Sequence, residues 1–224
     1  VSTQSTGENI EIPQEPTFKG QVRIITFNTD GLKDGAAFVS QRINELQPNI
    51  AVLQQISQKD AEDVQYRCGF KNISFCDDHS GGLVLLTNFQ ITSSDSIELC
   101  DSIQTLRSQV LVGKTEYSFF TLDLSNVQSE PKRASIDKIQ ELVMKTPNSI
   151  QIGCLNCELK SDLITLMKLE RIQKDGDGHT FNNEEFDYVH VVKEDFTVLR
   201  HYVVQNAQWK KDRHKMVLMD CLLK

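Results

Sequence analysis

Val22-Arg23-Ile24-Ile25-Thr26-Phe27, followed by Asn28-Thr29-Asp30-Gly31-Leu32, is the stretch on which the fold turns. A β-rich run, five of its six residues β-branched or aromatic, leads into a short polar segment that closes on glycine. That is the composition of a buried strand delivering a polar residue to a sheet edge. The same design recurs downstream. Ile50-Ala51-Val52-Leu53 reads as a buried strand ending at Gln54-Gln55, and Ser149 to Cys154 as a strand ending at Cys154-Leu155-Asn156. Between the first two strands, Phe38, Ile43 and Leu46 recur at near-helical spacing, and Pro48 ends that helix.

Working outward, Gly82 to Thr87 is a third early strand, and Gln90–Cys100, Ser108–Val112 and Glu116–Leu124 are further strands. Ile136, Ile139, Leu142 and Val143 line one face of a helix that opens at Pro131, a favoured first-turn residue. Leu159, Leu163, Leu166 and Met167 make another helical stripe. The last third turns to strands at Phe186–Val192, Phe196–Val204 and Met216–Leu222. Helices interleave with strands, and the strands fall into two groups. This predicts an α/β fold, two mixed sheets packed face to face with helices outside, in a single domain over residues 18–224. Val1 to Thr17, polar and aperiodic with two prolines, reads as a flexible leader. Sites in layered α/β folds lie beyond strand ends, so Asn28, Gln55, Asn156 and Asp187 are expected to converge at one edge.

The chain has 224 residues, 39% hydrophobic and 25% charged, which is ordinary for a folded globular protein and excludes disorder throughout. No apolar run approaches membrane-spanning length, so no membrane partner is expected. Val1–Thr17 shows no basic region followed by an apolar stretch, hence no visible signal peptide. The formal net charge of -7 argues against a nucleic-acid binder of the whole-surface kind. Six scattered cysteines beside a good apolar inventory read as reduced thiols in an intracellular protein, nuclear or cytoplasmic.

Five strand-end residues form a series: Asn28 in Ile-Thr-Phe-Asn-Thr-Asp-Gly-Leu, Gln55 in Val-Leu-Gln-Gln-Ile, Asn156 in Ile-Gly-Cys-Leu-Asn, Asp187 in Phe-Asp-Tyr-Val and His214 in Asp-Arg-His-Lys-Met-Val. Their order and spacing resemble the endonuclease/exonuclease/phosphatase superfamily, most of all its 5′-tyrosyl-DNA phosphodiesterase branch, from about Gln21 to Leu223. The resemblance implies a four-layer α/β sandwich. It also implies an ancestral Mg²⁺-dependent phosphoester hydrolysis, a chemistry made almost wholly of positioning and charge stabilisation.

The departures from that family decide the functional expectation. Where the family carries Leu-Gln-Glu, this chain has Leu53-Gln54-Gln55, and a neutral amide gives Mg²⁺ little reason to shed its water. Where the family carries Gly-Asp-x-Asn, this chain has Gly153-Cys154-Leu155-Asn156. A thiol with an ordinary pKa of about 8.5 is mostly neutral at pH 7 and too soft for that ion. Ser-Asp-His becomes Asp212-Arg213-His214, and the family's central His becomes Asp123, which repels a phosphate rather than donating to it. Losing one member of a coupled catalytic set commonly costs a factor of about 10³ or more.

The expectation is a pseudoenzyme. Asn28, Gln55, Asp123, Cys154, Asn156, Asp187 and His214 would form a vestigial site with no catalytic residue, no metal and no cofactor. The domain would then serve as a scaffold or adaptor for a protein partner. Two alternatives stay open. In the first, the groove still holds nucleic acid without cutting it, through Trp209, Lys210, Lys211 and Arg213, the one dense basic segment. In the second, Asp30 or Asp123 supplies a carboxylate to a shifted metal and a residual phosphodiesterase survives. Cys154-Leu155-Asn156-Cys157 is a lone C-x-x-C without the second pair of a zinc finger, so Cys154 reads as a drifted site residue and Cys157 as packing. His79, His179, His190 and His201 read as ordinary surface or hydrogen-bonded histidines. Asp77-Asp78 and Glu184-Glu185 read as solvated acidic pairs.

Overall fold

A computed structural model describes residues 20–125, 127–156, 170–171, 187–191, 196–204 and 214–223. Several sequence expectations lie outside them: the leader over 1–17, Cys157, the helical stripe from Leu159 to Met167, His179, the pair Glu184-Glu185, and the basic segment Trp209–Arg213. The elements run β1 (Gln21–Asn28), α1 (Ala36–Leu46), β2 (Ile50–Gln54), α2 (Gln58–Cys68), β3 (Asn72–Asp78), β4 (Gly81–Thr87), β5 (Gln90–Cys100) and β6 (Ile103–Val112). After these come β7 (Thr115–Asp123), α3 (Ser129–Lys145), β8 (Ser149–Cys154), β9 (Glu170–Arg171), β10 (Asp187–Val191), β11 (Phe196–Val203) and β12 (Val217–Leu223).

Among the described residues two six-stranded sheets form, in the orders β11-β12-β1-β2-β4-β3 and β5-β6-β7-β8-β10-β9. Each contains one parallel pair closed by a crossover helix. β1 and β2 pair in parallel around α1, and β7 and β8 in parallel around α3. The remaining pairings are antiparallel.

Alternation along the strands builds the layers. Ile24, Ile50, Val52 and Met219 of the first sheet meet Phe119, Ile150, Ile152 and Val189 of the second. On the outer face of the first sheet, Ile25, Phe27, Leu53 and Leu218 pack under Val39, Ile43 and Leu46 of α1 and Ala61 and Val64 of α2. On the outer face of the second, Phe120 and Leu122 pack under Ile136, Ile139 and Val143 of α3. Helices, sheet, sheet and helix make the four-layer α/β sandwich that the sequence predicts. Each such side chain taken from water contributes about 1.5–3 kcal/mol, so the three buried clusters hold the layers together.

Some boundaries differ from the sequence reading. α3 starts at Ser129 rather than Pro131. Pro131 then sits inside the first turn, where its missing N–H has no intrahelical partner to lose. β6 begins at Ile103, five residues earlier than read, because Gln104 and Thr105 hide the alternation. α2 and β3 carry too few apolar residues to show themselves by periodicity. Among the described residues no helix is long and apolar enough to cross a membrane.

Candidate functional site

The space between the sheets changes character at one edge. On β1 the residues facing the other sheet run Val22, Ile24, then Thr26 and Asn28. On β2 they run Ile50, Val52, then Gln54. On β7, Tyr117 and Phe119 give way to Thr121 and Asp123, and on β8 Ile150 and Ile152 give way to Cys154. The antiparallel β10 enters from the same edge at Asp187 before reaching Val189, and Asp187 pairs directly with Cys154. Asp123 pairs with Cys154 from the other side. Both parallel pairs therefore deliver their carboxyl ends to one place, where crossover connections diverge and sites form. Asn28, Asp123, Cys154 and Asp187 are each at most 1% exposed.

Local backbone explains how they come so close. Gly153 has φ +142, and a Cβ there would lie 2.0 Å from the Leu122 carbonyl oxygen, so only glycine lets β8 approach β7 beside Asp123. Asp30, Gln55 and Asn156 all take left-handed φ, at 51°, 57° and 47°. Asp and Asn tolerate that region, whereas for Gln55 it costs energy that the surroundings repay. Thr29 Oγ1 donates to the Gln54 and Gln55 carbonyls, and Gly31 N–H donates to the Gln55 carbonyl at 3.1 Å. These bonds lock the β1 and β2 ends together.

The polar groups at this edge are largely spent on one another. Gln55 Nε2 donates to Asp123 Oδ2 at 2.9 Å, Ser80 Oγ donates to the same oxygen at 2.8 Å, and Ser125 N–H donates to Asp123 Oδ1 at 2.8 Å. A carboxylate only accepts, so the amide of Gln55 must turn its nitrogen inward. Asn28 Oδ1 accepts from Asp30 N–H at 3.0 Å, and its Nδ2 donates to Ser125 Oγ at 3.4 Å. Ser125 Oγ in turn lies 3.5 Å from Cys154 Sγ.

Two Asp–His pairs flank this network. His214 Nδ1 is 3.0 Å from Asp187 Oδ2. Burial opposes the His214 charge, but Asp187, with Asp123 and Asp30 behind it, prevails and the pKa rises. His79 Nδ1 is 2.8 Å from Asp78 Oδ2, and its Nε2 faces the Ser125 carbonyl at 3.2 Å. The bond to Asp78 raises the His79 pKa against the opposing effect of burial. Burial first, then Asp187 and Asp123, hold the Cys154 thiol well above its ordinary value.

Of the residues predicted from sequence, Asn28, Gln55, Asp123, Cys154, Asp187 and His214 come together. Asn156 borders them: its backbone N–H faces the Cys154 thiol, and its carbonyl accepts from Lys132 Nζ at 2.9 Å. Trp209, Lys210, Lys211 and Arg213 fall outside the described residues. Asp78, His79, Ser80 and Ser125 belong to the site and were missed. Asp78 is corrected from a solvated acid to one with a fully buried side chain, paired with His79 and accepting from Gln104 N–H at 2.8 Å. A polar run Asp77-Asp78-His79-Ser80 just before the Gly81-Gly82 turn was the available signal, since a hairpin there joins two strands at the same edge. The five described cysteines are free.

The magnesium that the sequence resemblance implies does not fit this donor set. That ion wants six hard oxygens in near-octahedral array. Here the Asp123 oxygens and Asn28 Oδ1 already accept from protein donors, the Gln55 amide presents nitrogen to Asp123, and a neutral thiol adjoins Asp187. What the site does hold is sulfur, oxygen and nitrogen ligand atoms of Cys154, Asp187 and His214, all within 4.8 Å of one another.

No protein-family model and no curated protein matches the chain by sequence. Solved structures match it closely in shape. An endonuclease/exonuclease/phosphatase from Bacteroides vulgatus superposes with a TM-score of 0.76 at 16% identity, over 92% of this chain and 100% of its own. The human Nocturnin catalytic domain with bound sulfate gives 0.77 at 14% identity, over 92% and 96%. TDP2 from D. rerio, complexed with single strand DNA product, gives 0.71 at 15% identity, over 91% and 99%. The chain therefore has the endonuclease/exonuclease/phosphatase fold.

Proposed function

We propose that this chain is an endonuclease/exonuclease/phosphatase-like domain in which magnesium-dependent hydrolysis has been lost, and that it acts by binding a protein partner within an intracellular assembly. One observation carries the reading: the Gln55 amide is closed on Asp123 beside the buried Cys154 thiol, where the sequence resemblance puts an acid at both position 55 and position 154. Neither residue offers a charged oxygen to a hard cation or a base to a water molecule. The packing of the two sheets does not depend on those groups, so the fold outlasts the chemistry.

An assay with Mg²⁺ and Mn²⁺ on 5′-tyrosyl DNA, abasic DNA and RNA tests the first half. The expected rate equals the buffer blank. Turnover that vanishes in His214→Ala overturns it. The second half predicts a partner that co-purifies in stoichiometric amount from native extract and stays bound to Gln55→Ala, since a scaffold does not use the pocket. A partner released by that substitution overturns it.

The likeness to a TDP2 captured with single strand DNA product favours one further reading, a groove that holds nucleic acid without cutting it. Trp209, Lys210, Lys211 and Arg213 would supply the contacts. Oligonucleotide binding that weakens steeply with salt and with Lys210→Glu and Lys211→Glu would support this reading, and no binding at low salt would end it.

A further inference from the structure

We propose that Cys154, Asp187 and His214 form a binding site for a thiophilic divalent ion, zinc(II) foremost, in place of the hard cation that the donor set rejects. The proposal does not rest on the choice between partner proteins and nucleic acid. It rests on placement. Cys154 and Asp187 are directly opposed residues of neighbouring strands, and His214 leads into β12 of the other sheet. Their ligand atoms lie within 4.8 Å of one another, and among the described residues no other group of three does.

Thiolate, imidazole and carboxylate are the ligand types zinc(II) takes, and three of them with one open position is a known complement for that ion. Sulfur in the set selects against Mg²⁺ and Ca²⁺, which want oxygen alone. Two of the three ligands stand on paired strands and are fully buried, so the geometry is held before the ion arrives. The His214 side chain, 11% exposed, marks the access route. Ion binding forms bonds from the metal to sulfur, nitrogen and oxygen. The thiol proton leaves to solvent, and the proton between His214 Nδ1 and Asp187 moves to Nε2 or to solvent. The bound ion would tie β8 and β10 of one sheet to the segment that leads into β12 of the other.

The test uses the full chain, stripped with a chelator and then titrated with Co²⁺ and Zn²⁺ alone. One Co²⁺ per chain should bring up a near-ultraviolet thiolate-to-cobalt charge-transfer band, and Zn²⁺ should abolish it. Millimolar Mg²⁺ should leave it unchanged. Cys154→Ser should remove the band and weaken Zn²⁺ binding by at least about 100-fold, more than loss of an outer-shell partner costs. His214→Gln should weaken binding, and Cys157→Ser should not. The melting temperature of the wild-type chain should rise with Zn²⁺ concentration. A folded wild-type chain that gives no charge-transfer band overturns the proposal even if every variant misfolds. So does a band that survives Cys154→Ser, one lost only in Cys157→Ser, or displacement of the ion by Mg²⁺.

Discussion

Arg23–Asp220 and Asp187–His214 are both acid–base pairs built on a fully buried carboxylate, yet their surroundings differ completely. Arg23 sits under α1. Its Nε and Nη2 reach the two Asp220 oxygens at 2.7 and 2.9 Å, and its Nη1 reaches the Leu46 carbonyl at 2.8 Å. The pair is a planar fork around a permanent charge. Asp187–His214 stands at the polar edge between the sheets, next to a thiol, a second carboxylate and a second Asp–His pair. The first arrangement has one state. The second is built of groups whose charge depends on pH or on an ion. Burial alone therefore does not separate framework from site; the ability of the partners to change state does.

Substitutions can break that contrast. Arg23→Met should cost about 3–5 kcal/mol, because Asp220 is left buried and uncompensated. Denaturant unfolding measures this, and a cost below that of His214→Gln in metal-free protein would defeat the comparison. Gly153→Ala should cost about 2–3 kcal/mol through left-handed strain and collision with the Leu122 carbonyl. It would also widen the gap between Asp123 and Cys154, to be read as a changed Cys154 reactivity toward a thiol reagent. Gln55→Glu should cost about 1–2 kcal/mol at neutral pH by setting a second carboxylate against Asp123. One carboxyl's pKa is then raised on folding, so the penalty grows as pH rises and shrinks in acid, visible in melting curves against pH.

The smallest effect sharpens the comparison. The folded pKa of His79 is raised by its bond to Asp78. Its contribution to stability is therefore complete below the unfolded histidine pKa and is lost as pH rises through the folded value. In chelator-treated protein, the stability gap between wild type and His79→Gln should narrow from mildly acid to alkaline pH. The corresponding gap for Arg23→Met should run the other way and widen as pH rises, because that substitution strands a buried carboxylate whose ionised form is the costly one.

The strands of the parallel pairs were legible in sequence because they are buried on both faces over most of their length and so are rich in apolar and β-branched residues, most plainly in Ile50–Leu53. Ser149–Cys154 was placed to the residue. α2 was not, since Ala61 and Val64 alone are buried in its length. Its signals were at the ends: Ser57 accepts from Asp60 N–H at 3.2 Å, and Gly69 closes the helix at φ 72. β3 was lost because its inward face carries Ser74, Cys76 and Asp78 where alternation would demand apolar residues. Asn28, Gln55, Asp123, Cys154, Asp187 and His214, which the structure brings together, were legible because they lie at or shortly beyond the ends of strands or just before one. The second Asp–His pair was not, because adjacent residues that turn back on a network from a hairpin leave no periodic trace.

β1 and β12 are neighbours at the heart of one sheet, with Gln21 opposite Leu222 and Arg23 opposite Asp220. A growing polypeptide holds the first of these strands for nearly two hundred residues before its mate is synthesised. Until residues 217–223 leave the ribosome, one side of β1 has no ladder and a guanidinium waits without its carboxylate. Long-range closure of this kind is slow. Nascent chains of this protein should thus lean on chaperones late rather than early, and the half-made sheet is the surface such helpers would have to shield.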